Sequence, residues 1–125
     1  MDEVDLCFGE GVHGHVSMAV GAPGDGGGRR VSGPKPWGGM YHWKIYRVRV
    51  KDLPVGVPVK VELMAYGKEV RIAVNGRVIA ASEVDNQGCF CASGRTFIVD
   101  AQSLAEGLRF ARPKDEPKTK AAAQC

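Results

Sequence analysis

Two pairs of possible metal ligands are the residues in this sequence best suited to chemistry. They are His13 with His15 and Cys89 with Cys91. Residues two apart on a β-strand point to the same side, so each pair could present two ligands to zinc or copper. Neither spacing matches the Cys-x2-Cys of common zinc knuckles, and nothing in the sequence brings the two pairs together. We therefore expect solvent-facing histidines, strand cysteines and no bound metal.

Catalytic motifs have little support. No Ser or Cys lies in a nucleophile elbow, and no paired carboxylates share a predicted strand face. The glycines at 24–28 precede Arg29, Arg30 and a proline-rich stretch instead of a helix. They therefore lack the helix N-terminus with which a Gly-rich loop binds phosphate. The sequence predicts a protein that is not an enzyme and needs no cofactor.

The middle of the chain is strongly basic, although the formal net charge of the whole chain is only +3. Residues 29–60 carry eight basic side chains against one acid, Asp52, a local balance of +7. The basic residues are Arg29, Arg30, Lys35, Lys44, Arg47, Arg49, Lys51 and Lys60. They could attract nucleic acid or another polyanion, or they could be spread over a solvated strand face.

Aromatic residues are interleaved with these cations. Aromatic faces beside cations suit a stacked sugar ring or nucleic-acid bases. We expect Trp43 to pack in the core, whereas Trp37, between Pro36 and two glycines, is expected in an exposed loop. The candidate ligand-binding residues are His13, His15, Arg29, Arg30, Trp37 and His42.

Alternating apolar and polar residues predict an all-β fold. The predicted strands cover residues 12–20, 43–51, 59–63, 70–74, 77–80, 88–92 and 96–99. Asn75-Gly76 predicts a tight hairpin turn, and residues 101–107 predict only a short helical turn before Gly107. Short strands with frequent turns favour an antiparallel β-sandwich of jelly-roll type.

The chain is expected to form one domain. The predicted boundaries are a loose N-terminus at 1–11, a sandwich at 12–110 with a flexible Gly-rich loop at 21–39, and a disordered basic tail at 111–125. The chain shows neither a signal-peptide pattern nor a membrane-spanning run. We expect a cytoplasmic or nuclear protein whose four cysteines are reduced thiols.

Several stretches resemble the galectins and related concanavalin-like jelly rolls. Leu53–Leu63 contains a Pro-x-Gly-x-Pro entry to an apolar strand, Lys68–Val78 contains an "x-Val-x-Val-Asn-Gly" hairpin, and Gly94–Val99 is similar to the last strand of that fold. His13 precedes Trp37-Gly38 as a sugar-contacting His precedes a Trp-Gly in the family. The resemblance covers about residues 12–100.

The galectin sugar motif His-x-Asn-x-Arg is changed in this chain to His13, His15 and Ser17, and Met40 and His42 replace the expected Glu and Arg after the Trp. Galactose hydroxyls would therefore lack partners. The resemblance implies a lectin-like binding module, or a degenerate lectin that serves as an adaptor for a protein partner and that could be a homodimer. The alternative is weak binding of nucleic acid or another polyanion through residues 29–60.

Overall fold

The computed structural model describes residues 2–10, 16–24, 28–33, 42–66, 69–79, 81–87 and 94–111. Within these ranges the chain is mostly antiparallel strand with one helix, so the predicted all-β sandwich is confirmed. The predicted strand at 88–92 lies outside the described residues, as does the predicted tail apart from Ala111. In chain order the elements are β1 (Glu3–Glu10), β2 (Val16–Gly21), β3 (Arg29–Ser32), β4 (His42–Arg49), β5 (Val59–Tyr66), β6 (Glu69–Val74), β7 (Arg77–Ile79), β8 (Ser82–Gln87), β9 (Thr96–Val99) and α1 (Ala101–Ala111).

The strands form two sheets with similar internal order. The five-stranded sheet runs β3-β2-β1-β4-β8, and the four-stranded sheet runs β7-β6-β5-β9. In each sheet three consecutive strands form a meander, and a later strand returns to pair with the first of the three. This is a Greek-key order, and two such sheets face to face form a jelly-roll-like sandwich.

The core lies between the sheets and uses alternate residues of each strand. Val4, Leu6 and Phe8 of β1 are 0% exposed and pack with Val61 and Leu63 of β5 in the same cluster. Because each strand alternates, the residues between these point to the outer face of their own sheet. Side-chain hydrogen bonds also join the sheets: the Tyr46 hydroxyl of β4, for example, donates to the Val70 carbonyl oxygen of β6 at 3.0 Å.

The prediction of a loose N-terminus is wrong for residues 3–10. β1 is the middle strand of the five-stranded sheet, paired with β2 on one side and β4 on the other. Its apolar residues alternate with Asp5, Cys7 and Gly9, which lie on the outer face of the sheet. The acidic residues of this segment are typical of a solvated terminus, so the alternation was overlooked. The predicted loop at 21–39 is also partly ordered strand, because β3 lies within it.

Gly107 explains why the helix is longer than the predicted turn. α1 continues through Gly107 to Ala111 and packs against β2 and β3. A Cβ at Gly107 would lie 2.9 Å from Val31 Cγ1, so this glycine permits close packing and does not end the helix. The helix begins after Asp100, whose carboxylate accepts the Ser103 backbone N–H at 2.7 Å.

Candidate binding surface

The residues singled out from sequence are only partly described. His13, His15 and Trp37 lie outside the described residues, and only the backbone of His42 is described. Arg29 and Arg30 lie on β3, whereas His42 begins β4. β2 and β1 separate these strands, a distance of three strand spacings or about 14 Å. The sheet therefore does not bring the two arginines together with His42.

The predicted basic segment is not one continuous patch. Three of its arginines form ion pairs with acids of the chain: Arg29 with Glu106, Arg47 with Asp5, and Arg49 with Asp52. Arg30 donates to the carbonyl oxygen of Gly33 at 2.6 Å. Lys60 lies on the other sheet. The described cations of residues 29–60 are thus divided among several surfaces.

The outer face of the five-stranded sheet is buried at its centre. Cys7, Ala19 and Ile45 form a cross-strand row there, and their exposures are 1%, 0% and 3%. Ser17, which matches the Arg of the galectin sugar motif, lies on the same face and is 0% exposed. The Cys7 sulfur lies 4.0 Å from the Asp5 carbonyl oxygen. The described part of this face does not present an open sugar-binding groove.

A buried carboxylate lies at one end of that face. Asp5 is 1% exposed, and its two oxygens accept Arg47 Nε at 2.9 Å and Arg47 Nη2 at 3.3 Å. The backbone N–H of Gly24 also donates to Asp5 Oδ2 at 2.9 Å. The hydrogen bonds from Arg47 to Asp5 raise the pKa of the guanidinium above its ordinary value. This arrangement joins β1, β4 and the turn after β2, which is a structural role.

The outer face of the four-stranded sheet is different, because apolar side chains lie exposed on three of its strands. Met64 of β5 is 36% exposed, Val78 of β7 is 38% exposed, and Ile98 of β9 is 62% exposed. Ala73 of β6 lies directly opposite Val78 and is buried between its neighbours. We call these residues, together with Lys60, Glu62, Arg71 and Thr96, the open face. It is the described surface best suited to contact a partner.

Two of the exposed apolar side chains of the open face have a cation beside them. Lys60 is directly opposite Ile98 in the strand register, and Arg71 is directly opposite Met64. Directly opposite residues have Cβ atoms about 5 Å apart. Val78 has no such neighbour in the register, because Arg77 is directly opposite the core residue Val74 and lies on the other side of β7. Glu62 is the one described carboxylate among these strands, since the Glu69 side chain is not described.

Local hydrogen bonds hold the open face in a fixed geometry. The Asn75 side-chain oxygen accepts the Lys60 backbone N–H at 2.7 Å, and the Asn75 N–H donates to the Lys60 carbonyl oxygen at 2.8 Å. Asn75 and Gly76 have φ values of 51° and 84°, as the predicted hairpin turn requires. At the opposite edge, the Ser32 hydroxyl of β3 lies 3.4 Å from the Ile98 carbonyl oxygen. The face is therefore largely preorganised.

Sequence reasoning did not identify this face. The signal was available, because Met64, Val78 and Ile98 occupy positions at which the strand alternation calls for polar residues. Apolar residues at the outward positions of a strand that is buried on one side indicate either that the other side is buried as well or that it is a contact surface.

Among the described residues, no three His, Cys, Asp or Glu side chains form a group that could hold a metal ion. The sequence-level metal hypothesis concerns His13, His15, Cys89 and Cys91, which all lie outside that part of the chain. The helix that the structure describes is too short to cross a membrane.

Comparisons with known proteins do not assign the chain to a family. No protein-family model matches the sequence, and neither a curated protein nor a solved structure matches the chain at a significant level. The resemblance to galectins therefore remains a prediction from the sequence alone.

Proposed function

We propose that this protein is a non-enzymatic binding module that engages a protein partner through the open face. The observation that carries the proposal is the exposure of Met64, Val78 and Ile98 on one outer sheet face. Exposed apolar side chains that share a sheet face with charged and polar groups occur in protein contact surfaces.

The contrast with the other sheet favours a protein partner over a glycan. In the galectin-like interpretation the sugar would lie on the strand that carries His13, His15 and Ser17. The described member of that set, Ser17, is buried, and so are its neighbours Ala19 and Cys7. Sugars are bound by exposed hydrogen-bonding groups and stacked aromatic rings. This is the degenerate-lectin branch of the sequence interpretation, in which the domain acts as an adaptor.

Matched substitutions on exposed apolar residues test this proposal. Ile98→Asp and Val78→Asp place a carboxylate in the open face. Phe110→Asp is the control, because Phe110 is 50% exposed on α1 and lies outside that face. Each variant, tagged, is used to capture proteins from extract of the source cells, and the captured proteins are identified by mass spectrometry. We expect a protein that wild type and Phe110→Asp retain and that both face variants lose.

Either of two binding results would contradict the proposal. One is a specific partner that all variants retain equally. The other is binding on a glycan array that Ile98→Asp leaves unchanged, since this would restore the lectin interpretation and place the sugar elsewhere. Measurable turnover of a substrate would contradict any purely binding role.

A further inference from the structure

The outward side chains of β5 form a row in the middle of the open face. The row contains Lys60, Glu62 and Met64, and the exposed Pro58 precedes it in the same phase. Neighbours in the row lie about 6.7 Å apart, because residues two apart on a strand share one side. From end to end the row reads apolar, cation, carboxylate, apolar. Neither Lys60 nor Glu62 forms an ion pair within the described part of the chain, so both charges are available to an outside group.

A row of this order is complementary to a second copy of itself. Two sheet faces can pack about 10 Å apart with their strands nearly aligned. A two-fold axis that runs between the faces and crosses β5 midway between Lys60 and Glu62 makes the two β5 strands antiparallel. Lys60 of each copy then lies over Glu62 of the other. Met64 of each copy lies over Pro58 of the other, so opposite charges meet at the centre and apolar side chains meet at both ends.

The described residues of the neighbouring strands fit the same axis. On β9, Ile98 is directly opposite Lys60 in the register. Thr96 is directly opposite Glu62. The axis therefore sets Ile98 of one copy over Thr96 of the other, where its exposed side chain is covered by a neutral one. The two Arg71 side chains, one in each copy, lie at opposite ends of the contact, about 20 Å apart along the strands.

We propose that the partner of the open face is a second copy of this chain, bound face to face about this two-fold axis. This inference rests on the proposed function and names the partner. Burial of Ile98 and Met64 supplies affinity. The contacts between Lys60 and Glu62 fix the register, because a shift of two residues along β5 would set Lys60 over Lys60 or Glu62 over Glu62.

The area of the open face sets the strength of this contact. Its four strands span about 14 Å and the described rows run for about 13 Å, a projected area of roughly 200 Å². Stable interfaces bury about 800 Å² of each partner. The turn before β5 adds to the contact at both ends, and its residues Val55 and Val57 are 82% and 45% exposed. We therefore expect a reversible dimer that forms at micromolar or higher concentrations.

The two signs of charge in the row argue against a partner that carries only one. A nucleic acid laid along β5 would place phosphates over Glu62 as well as over Lys60. Bases of single-stranded nucleic acid are bound mainly by stacking on aromatic rings, and the described side chains of the open face include none. A partner with the same two charges in reverse order matches the row better, and a second copy has them.

Analytical ultracentrifugation of the full chain and of charge-reversal variants tests the inference. Wild type is expected to shift from monomer to dimer between about 10 and 500 μM. Lys60→Glu sets carboxylates over each other and Glu62→Lys sets cations over each other, so each variant should dimerise at least roughly tenfold more weakly. The double variant, Lys60→Glu with Glu62→Lys, restores opposite charges and should dimerise within about threefold of wild type.

A mixture of the two single variants provides a second readout. Copies with Lys60→Glu carry two carboxylates in the row, and copies with Glu62→Lys carry two cations. An equimolar mixture should therefore form a heterodimer that neither variant forms alone. Lys51→Glu is the matched control, because Lys51 is an exposed cation in the turn after β4, outside the open face. The control should dimerise as wild type does, and melting curves should show that all variants are folded.

The outcomes distinguish this inference from the proposed function. Wild type that stays monomeric at about 500 μM would overturn the inference, as would a dimer that both single reversals leave unchanged. A double variant that dimerises no better than the single ones would also overturn it. If wild type is monomeric but Ile98→Asp loses a different cellular protein, the proposed function stands and this inference is wrong. If no variant of the open face alters either dimer formation or partner capture, both proposals fail.

Discussion

On both outer faces of the sandwich the side chains come from alternate residues of each strand, but the two faces differ in how far those side chains are exposed to solvent. On the five-stranded sheet the central outer row of Cys7, Ala19 and Ile45 is buried, and a buried carboxylate, Asp5, is fixed by Arg47. On the four-stranded sheet Met64 and Ile98 are exposed beside cations. An outward position on a strand therefore does not by itself predict exposure, and among the described residues the second face is the more exposed of the two.

The same substitution at one isoleucine of each face should give the largest difference between them. Ile45→Asp removes a buried apolar side chain and buries a charge, so we expect a loss of more than about 4 kcal/mol in the free energy of unfolding. Ile98→Asp changes a side chain that is 62% exposed and should cost no more than about 1 kcal/mol. Urea denaturation of both variants measures the difference. Equal losses would show that the two faces are not distinct.

A second comparison concerns ion pairs. Asp5→Ala leaves Arg47 and the Gly24 N–H without their acceptor, and we expect a loss of about 3 kcal/mol. Arg47 is 30% exposed and can turn to water, which keeps the cost at the low end for broken buried pairs. Glu106→Ala breaks the exposed pair with Arg29 and should cost less than about 0.5 kcal/mol. An Asp5→Ala variant as stable as Glu106→Ala would contradict a structural role for the buried pair.

The smallest effect is expected at the start of α1 and depends on pH. Hydrogen bonds from Ser103 to the Asp100 carboxylate hold the pKa of Asp100 below its ordinary value. The bond from the Ser103 backbone N–H has the larger effect, and the bond from the Ser103 hydroxyl has the next largest. A carboxylate with a lowered folded-state pKa contributes stability above its unfolded pKa of about 3.9, and the contribution is lost as pH falls through the folded pKa. Wild type should therefore exceed Asp100→Asn in stability at pH 7, and the difference should shrink below about pH 4. Thermal melts of both proteins across this range measure it, and a difference independent of pH would contradict this assignment.

The fold was predictable where local chemistry determined it. Asn75-Gly76 has few alternatives to a tight turn, and the structure shows the positive φ angles that this turn requires. β1 was missed because acidic residues lie on its outer face. The buried carboxylate of Asp5 on that face is neutralised by Arg47, which is 42 residues away in the sequence. β8 was missed because its sequence, Ser-Glu-Val-Asp-Asn-Gln, has few strand-favouring residues, and its strand conformation comes from pairing with β4.

The candidate site was less predictable than the fold. The charge count at residues 29–60 is correct, but the sheet order sends those cations to different surfaces and pairs several of them with acids. The open face combines residues 60–64, 71–78 and 96–98, which no local pattern connects. Tertiary packing determines which outer face is buried. The alternation of apolar and polar residues does not distinguish the two faces.

Site-specific photo-crosslinking tests most directly whether the open face is the binding surface. A benzophenone amino acid is placed in turn at Val78, Ile98 and Phe110 of the full chain in the source cells, and adducts are identified after irradiation. We predict a common protein adduct at positions 78 and 98 that is missing at 110, because only the first two positions lie in the open face. Adducts at 110 alone, or none at 78 and 98, would contradict the account.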